Sequence, residues 1–167
     1  MSKSNLCIVG LPKQFIDILG KELSSKMDMF YANIEELFAY ELIDMARIEE
    51  LCGLEYLQKE ERSIVKRICG YDNTLINIDY SVLNKCDILE LIKQHCLLLY
   101  FDMSRNRYQI ELENEGQSSN LKLINMDVFQ DRSDLCKGMA DIVVDCEDLD
   151  LNSLVDKTIE IVMRYFA

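Results

Sequence analysis

A three-layer α/β/α fold on a five-stranded, mostly parallel sheet is what this sequence predicts, and three observations predict it. Short apolar runs of strand length alternate with longer stretches whose apolar residues recur at helical spacing. Each such pairing is a βαβ unit, which lays parallel strands into one sheet and covers both of its faces. No repeat and no Pro-rich or Ser-rich linker interrupts the alternation, so the 167 residues read as one domain.

Leu6 to Val9 is an apolar run stopping at Gly10, a first strand buried on both faces. From about Gln14 to Lys26, the positions of Phe15, Ile18, Leu19 and Leu23 give a helix with one buried face. Met27 to Ala32 follows as a second strand. Asn33 is an N-cap, since its side-chain oxygen can take an orphan N–H of the next turn, and Glu35 and Glu36 suit the positive end of the helix dipole. Helices over 34–50 and 54–69 come next, divided at Cys52-Gly53. Gly70 to Asn73 is a turn, and Thr74 to Ile78 is the third strand. A helix near 81–94 leads into the strongest strand, Cys96 to Phe101 (CLLLYF). Residues 104–120 are polar, with Gly116-Gln117-Ser118-Ser119 as the expected mobile loop. A helix over 121–137 precedes the last strand, Asp141 to Val144. Leu154, Val155, Ile159, Val162 and Phe166 then mark an amphipathic helix capped by Asn152 or Ser153.

Composition narrows the function. Apolar residues make up 49% and charged residues 29%, ordinary values that exclude a disordered chain. Eighteen Lys+Arg against thirty Asp+Glu leave a net charge of -12, which repels phosphate backbones and anionic membranes. Nucleic acid and membrane are therefore not expected partners. The seven cysteines are an odd number with no C-x-x-C pair, and there is one histidine, so zinc spacing is missing. The thiols read as reduced, buried hydrophobes of a cytoplasmic protein.

The turn after the first strand is the natural ligand site, because open α/β sheets bind ligands at the carboxyl ends of their strands. A strand-to-helix turn of this kind suits the phosphate loop G-x-x-x-x-G-K-[ST]. Its glycines expose N–H groups, its lysine reaches the β- and γ-phosphates, and its hydroxyl holds Mg²⁺. The residues here are Gly10-Leu11-Pro12-Lys13-Gln14-Phe15-Ile16-Asp17. Only the first glycine is kept. Pro12 removes a donor, Phe15 adds a side chain where the backbone must approach, Ile16 deletes the cation and Asp17 adds a negative charge. Gly10, Lys13 and Asp17 are the candidate cofactor-binding residues of this altered turn.

Three further segments give the layout a family resemblance. LCIVG ends at the phosphate-loop position, and LLLYFDMS (97–104) is similar to a fourth strand leading to a lid. Asp131-Arg132, followed by Met139-Ala140-Asp141-Ile142-Val143-Val144-Asp145, resembles an R-x-P-x-Y segment running into an A-D before the last strand. Together with the length and element order, these segments resemble the shikimate kinases, small P-loop phosphoryl-transfer enzymes of nucleoside-monophosphate-kinase-like fold. The resemblance covers nearly the whole chain. It implies one domain over 1–167, with a helical substrate-lobe equivalent near 33–70 and a lid-equivalent loop near 104–120.

The family's ligand residues mostly do not carry over. The acids of its D-x-D fall on Ala32 and Ile34, and the arginine of its G-E-x-x-F-R falls on Gln58. Its triple glycine falls on Ile78-Asp79-Tyr80, and its R-P-L-L lid motif has no counterpart in 108–124. Arg132 matches a substrate-carboxylate arginine and is the candidate substrate-binding residue, although Asp134 and Cys136 replace the neighbouring proline and tyrosine. Arg105 or Arg107 would correspond to an adenine-stacking arginine.

With an apolar pattern intact around altered ligand positions, the expectation is a shikimate-kinase-like protein that has lost phosphoryl transfer and acts as a binding or regulatory domain. No cofactor and no metal site is expected. The alternative is an active small-molecule kinase using Lys13 and Arg132 as cations and Asp17 and Asp79 for Mg²⁺, the one case requiring ATP and Mg²⁺. Expected partners are a protein or a small ligand, with a homodimer as a further reading. Tyr31, Tyr40 and Tyr56, with Met27, Met29, Phe30, Phe38 and Met45, make the substrate-lobe equivalent aromatic and Met-rich. Such a set serves as core or as an adaptable binding surface. His95 reads as a helix-terminal cation, and the acidic runs at 35–50 and 145–150 as solvated faces.

Overall fold

The computed structural model describes residues 3–116 and 118–167. Among these, five strands alternate with helices in the order β1 Asn5–Gly10, α1 Lys13–Lys26, β2 Phe30–Asn33, α2 Ile34–Leu42, α3 Met45–Cys52, α4 Leu54–Cys69 and β3 Thr74–Asn77. They continue as α5 Tyr80–Leu83, α6 Cys86–His95, β4 Cys96–Asp102, α7 Arg105–Asn114, α8 Ser119–Met139, β5 Ile142–Asp145 and α9 Leu151–Phe166. The strands form one all-parallel sheet of order β2-β3-β1-β4-β5, covered on both faces as the alternation predicts.

β1 is the central strand. It runs in register with β4 from Asn5↔Cys96 to Gly10↔Phe101, and with β3 from Leu6↔Leu75 to Ile8↔Asn77. Because successive side chains point to opposite faces, Cys7 and Val9 enter one core and Leu6 and Ile8 the other. The first core packs β1, β3 and β4 against α2, α4 and α6; the second packs them against α1, α7 and α9. α8 serves both cores, giving Cys136 and Met139 to one and Phe129 to the other. It is tied down by the stack of Tyr108 on Phe129, with ring centres 4.3 Å apart, and by the buried Tyr100 hydroxyl donating to Ser133 Oγ at 2.9 Å.

Several local expectations need correction. The helix expected over 34–50 is two helices, parted at Ile43-Asp44, where Ile43 has a φ of 47° and Asp44 caps α3. The second strand begins at Phe30, because Met27–Met29 form the turn that leaves α1. Residues 105–114, expected to be irregular, form α7, capped by Ser104. That helix carries little apolar periodicity, since it anchors mainly through Tyr108 and Leu112. Of the expected mobile loop, Gln117 lies outside the described residues, and Ser118 caps α8. The last helix is capped by Asp150, whose side chain accepts from Ser153 N at 2.8 Å, and not by Asn152 or Ser153.

All seven cysteines are free; five are buried, whereas Cys52 and Cys86 are exposed on helix surfaces. Burial pushes the thiols of Cys136 and Cys146 up to about 12, so they pack as protonated hydrophobes. Among the described residues, no helix is long and apolar enough to cross a membrane.

Candidate functional site

The parallel sheet brings the turn after β1 and the turn after β3 side by side, since Asn77, the last residue of β3, pairs with Ile8, two residues before the end of β1. Asp79 therefore comes to lie beside the β1–α1 turn. Lys13, the cation of that turn, sits between two carboxylates, 2.6 Å from Glu35 Oε1 and 3.1 Å from Asp79 Oδ2. Burial opposes its charge, but Glu35 and Asp79 outweigh burial and raise the Lys13 pKa above its ordinary value. Asp79 is itself held, accepting from Ser81 N at 2.9 Å and from the Ser81 hydroxyl.

The helix that follows this turn is capped from within the chain. α1 begins after Pro12, and no side chain near its start caps it, so its first N–H groups need an outside acceptor. Glu115, at the end of α7, supplies one. Its Oε1 accepts from Gln14 N at 3.0 Å and from Phe15 N at 3.3 Å. A carboxylate at a helix N-terminus satisfies orphan donors and complements the dipole, which is how such a terminus also holds a phosphate.

Ile16 closes the floor. It is 1% exposed, and a Cβ built on Gly10 would lie 2.6 Å from its Cδ1. The bare Gly10 backbone thus leaves room for the tip of the Ile16 side chain, which would have to shift if a Cβ stood there. The space remaining between Gly10, Lys13, Ile16, Asn33 and Asp79 is about 20 Å³, close to the volume one water needs. Phe15 is buried in the core shared with α7 and α9, with the Arg107 guanidinium 5.4 Å from its ring centre.

Asp17 belongs to a different assembly. Its Oδ1 accepts from Tyr31 Oη at 2.8 Å and Asn33 Nδ2 at 2.9 Å, and its Oδ2 lies 2.6 Å from Lys21 Nζ. Asn77 Nδ2 donates to the same Tyr31 hydroxyl at 2.9 Å, so α1, β2 and β3 meet in one network. Burial pushes the Asp17 carboxyl upward, but bonds from Lys21, Tyr31 and Asn33 prevail and hold it below the usual carboxylate range. Asn33 also caps α2 as expected, accepting from Glu35 N at 3.0 Å and Glu36 N at 3.3 Å.

The structure brings Gly10 and Lys13 together in this crevice and sets Arg132 beside Tyr80, the residue that follows Asp79. Arg132, on α8, lies 4.9 Å from the Tyr80 ring centre and donates to Asn125 Oδ1 at 3.3 Å. Arg107 braces the turn after β5, donating to Glu147 O at 2.9 Å and Cys146 O at 3.4 Å, while Arg105 is exposed. Sequence reasoning missed Glu115 altogether, since it lies about one hundred residues from its partners in a stretch without periodicity. The readable signal was the lack of any Ser, Thr, Asp or Asn at the start of α1.

The folded chain has clear structural counterparts. The shikimate kinase of Acinetobacter baumannii, solved in complex with shikimate, superposes with a TM-score of 0.77 at 13% identity, covering 98% of this chain and 95% of that one. The shikimate kinase of Bacteroides thetaiotaomicron gives 0.76 at 12% identity, over 95% and 98%. A gluconokinase of Sinorhizobium meliloti 1021 gives 0.63 at 11% identity, over 99% and 95%. No family model and no curated protein sequence matches the chain. The fold is therefore that of the shikimate-kinase-like P-loop kinases. At these identities the likeness establishes architecture, and function has to come from the site.

Proposed function

We propose that this domain keeps a small-molecule-kinase fold as a scaffold, has lost ATP-dependent phosphoryl transfer, and works as a binding or regulatory domain. The observation carrying this reading is the Glu115 carboxylate on the N–H groups of Gln14 and Phe15, where a bound phosphate would need to sit. An incoming nucleotide would have to displace that acid. It would also meet Glu35 and Asp79, which already neutralise Lys13.

Phosphoryl transfer rests on positioned cations and Mg²⁺ around the transferred group. In this turn Ile16 stands at the lysine position and Asp17 at the hydroxyl position, and Asp17 already accepts from Tyr31 and Asn33. Asp17 and Asp79 are the acids nearest to serving a Mg²⁺ ion, and both are engaged by lysines. Losing one preorganised donor at a reacting centre costs about 3 kcal/mol, or roughly 10²–10³ in rate, and several are missing together.

The test is release of ADP from MgATP in the presence of shikimate or gluconate, with an active shikimate kinase alongside. The expected result is no ADP above the protein-free control. Turnover approaching the roughly 10 s⁻¹ of ordinary enzymes, abolished by Lys13→Ala, would instead establish an active kinase with an atypical loop.

A further inference from the structure

A second concave surface lies along the outer edge of the sheet. β2 is an edge strand, paired only with β3 among the described strands. The Phe30 N–H donates to Asn73 O at 2.9 Å, so Phe30 directs its backbone groups toward β3, and by the period of two Tyr31 directs its own outward. Side chains alternate too. Tyr31 reaches Asp17 on α1, so Phe30 and Ala32 face the other side, toward α2 and α4.

On that side the strand, α2 and the end of α4 enclose a groove of about 900 Å³, within the range of ligand-binding clefts. Its walls carry Phe30, Leu37, Tyr40 and Tyr71, with Glu36 and Asp72 as its acids, and no Lys, Arg or His lines it. Phe30 is 73% exposed and Tyr40 82% exposed. Folding does not use these aromatic surfaces, and a large exposed apolar patch with polar neighbours marks an interaction site.

We propose that this groove docks an extended, positively charged segment of a partner protein, which adds as a strand beside β2. The open backbone of Tyr31 supplies strand pairing, and the groove takes an apolar or aromatic side chain of the segment; together these are the two parts of β-strand addition. Charge selects the occupant. Glu36 and Asp72 flank the aromatic rings, and the net charge of -12 attracts cations from a distance. A cation beside tyrosine faces also gains from the ring quadrupole. A second copy of this chain is the poorer occupant, because edge-to-edge pairing would set like acids against each other. The inference does not depend on loss of nucleotide binding, since the groove shares only Asn33 with the lining of the filled crevice.

The test is selection of a displayed library of random dodecapeptides on the intact protein, followed by synthesis of the enriched peptides. Enriched peptides should be net positive, free of proline in their core and bound at least tenfold more weakly by Phe30→Ala/Tyr40→Ala. Glu36→Lys/Asp72→Lys should weaken the same peptides, and N-methylation of alternate peptide amides should abolish binding. Tyr40→Lys, on an exposed side chain, guards against misfolding and should also lose binding with unchanged circular dichroism. Failure to enrich any peptide, or enrichment of acidic peptides or of peptides indifferent to these substitutions, overturns the proposal. So does a dimer in sedimentation that Tyr40→Lys dissociates, which would assign the groove to a second copy.

Discussion

At the carboxyl ends of β1 and β3 the chain leaves about 20 Å³ of space, whereas along β2 it leaves about 900 Å³. The two regions are neighbours, joined by Asn33 and the start of α2, yet they use their side chains in opposite ways. In the crevice, ionised and polar groups meet one another: Lys13 meets Glu35 and Asp79, and Glu115 meets the start of α1. In the groove, large aromatic residues face solvent and no Lys, Arg or His stands in the lining beside the acids. The contrast teaches that one fold can pack the turns at the carboxyl ends of its strands with paired polar groups and leave its aromatic surface open along an edge.

The sharpest way to break the contrast is to empty the floor of the crevice. Ile16→Ala should cost about 2–5 kcal/mol, because a fully buried side chain leaves a cavity that the sheet cannot refill. Urea denaturation would measure it, and a loss near zero would mean that Ile16 is not a structural plug. Removing the internal cap comes next. Glu115→Ala should cost about 1 kcal/mol, the usual worth of a helix cap, in the same assay. It should also speed amide exchange at Gln14 and Phe15 relative to the rest of α1.

The Asp17 network yields a pH dependence. Its carboxyl has a lower pKa folded than unfolded, so the stability it contributes is complete above the unfolded value of about 3.9 and is lost as pH falls through the folded one. Asp17→Asn should therefore flatten the acid side of the stability profile in urea melts, and an unchanged slope would remove Asp17 from the account. The smallest effect is expected in the groove. Tyr40→Ala should leave stability within about 0.5 kcal/mol, as exposed positions do, since its ring is 82% exposed and its proposed role is recognition.

Much of this was legible in the residues. CLLLYF could only be a fully buried strand, and β4 runs through the middle of both cores. Asn33 announced its cap, and its side chain accepts from the N–H groups of Glu35 and Glu36. What stayed hidden depends on contacts made across the chain. Nothing near Glu115 marks it as the cap of a helix a hundred residues earlier, and Lys13 finds Asp79 only through strand order. The aromatic and Met-rich stretch was visible, but its division was not. Phe38 faces the core and Tyr31 joins a half-buried network, while Phe30 and Tyr40 are left outside.

The central claim is that the phosphate position of this fold is occupied by the chain's own carboxylate, and calorimetric titration with MgATP, with and without shikimate, tests it most directly. The account predicts no heat of binding up to millimolar nucleotide. Saturable binding in the micromolar range, about -8 kcal/mol, would contradict it, because the start of α1 would then yield to a phosphate in spite of Glu115.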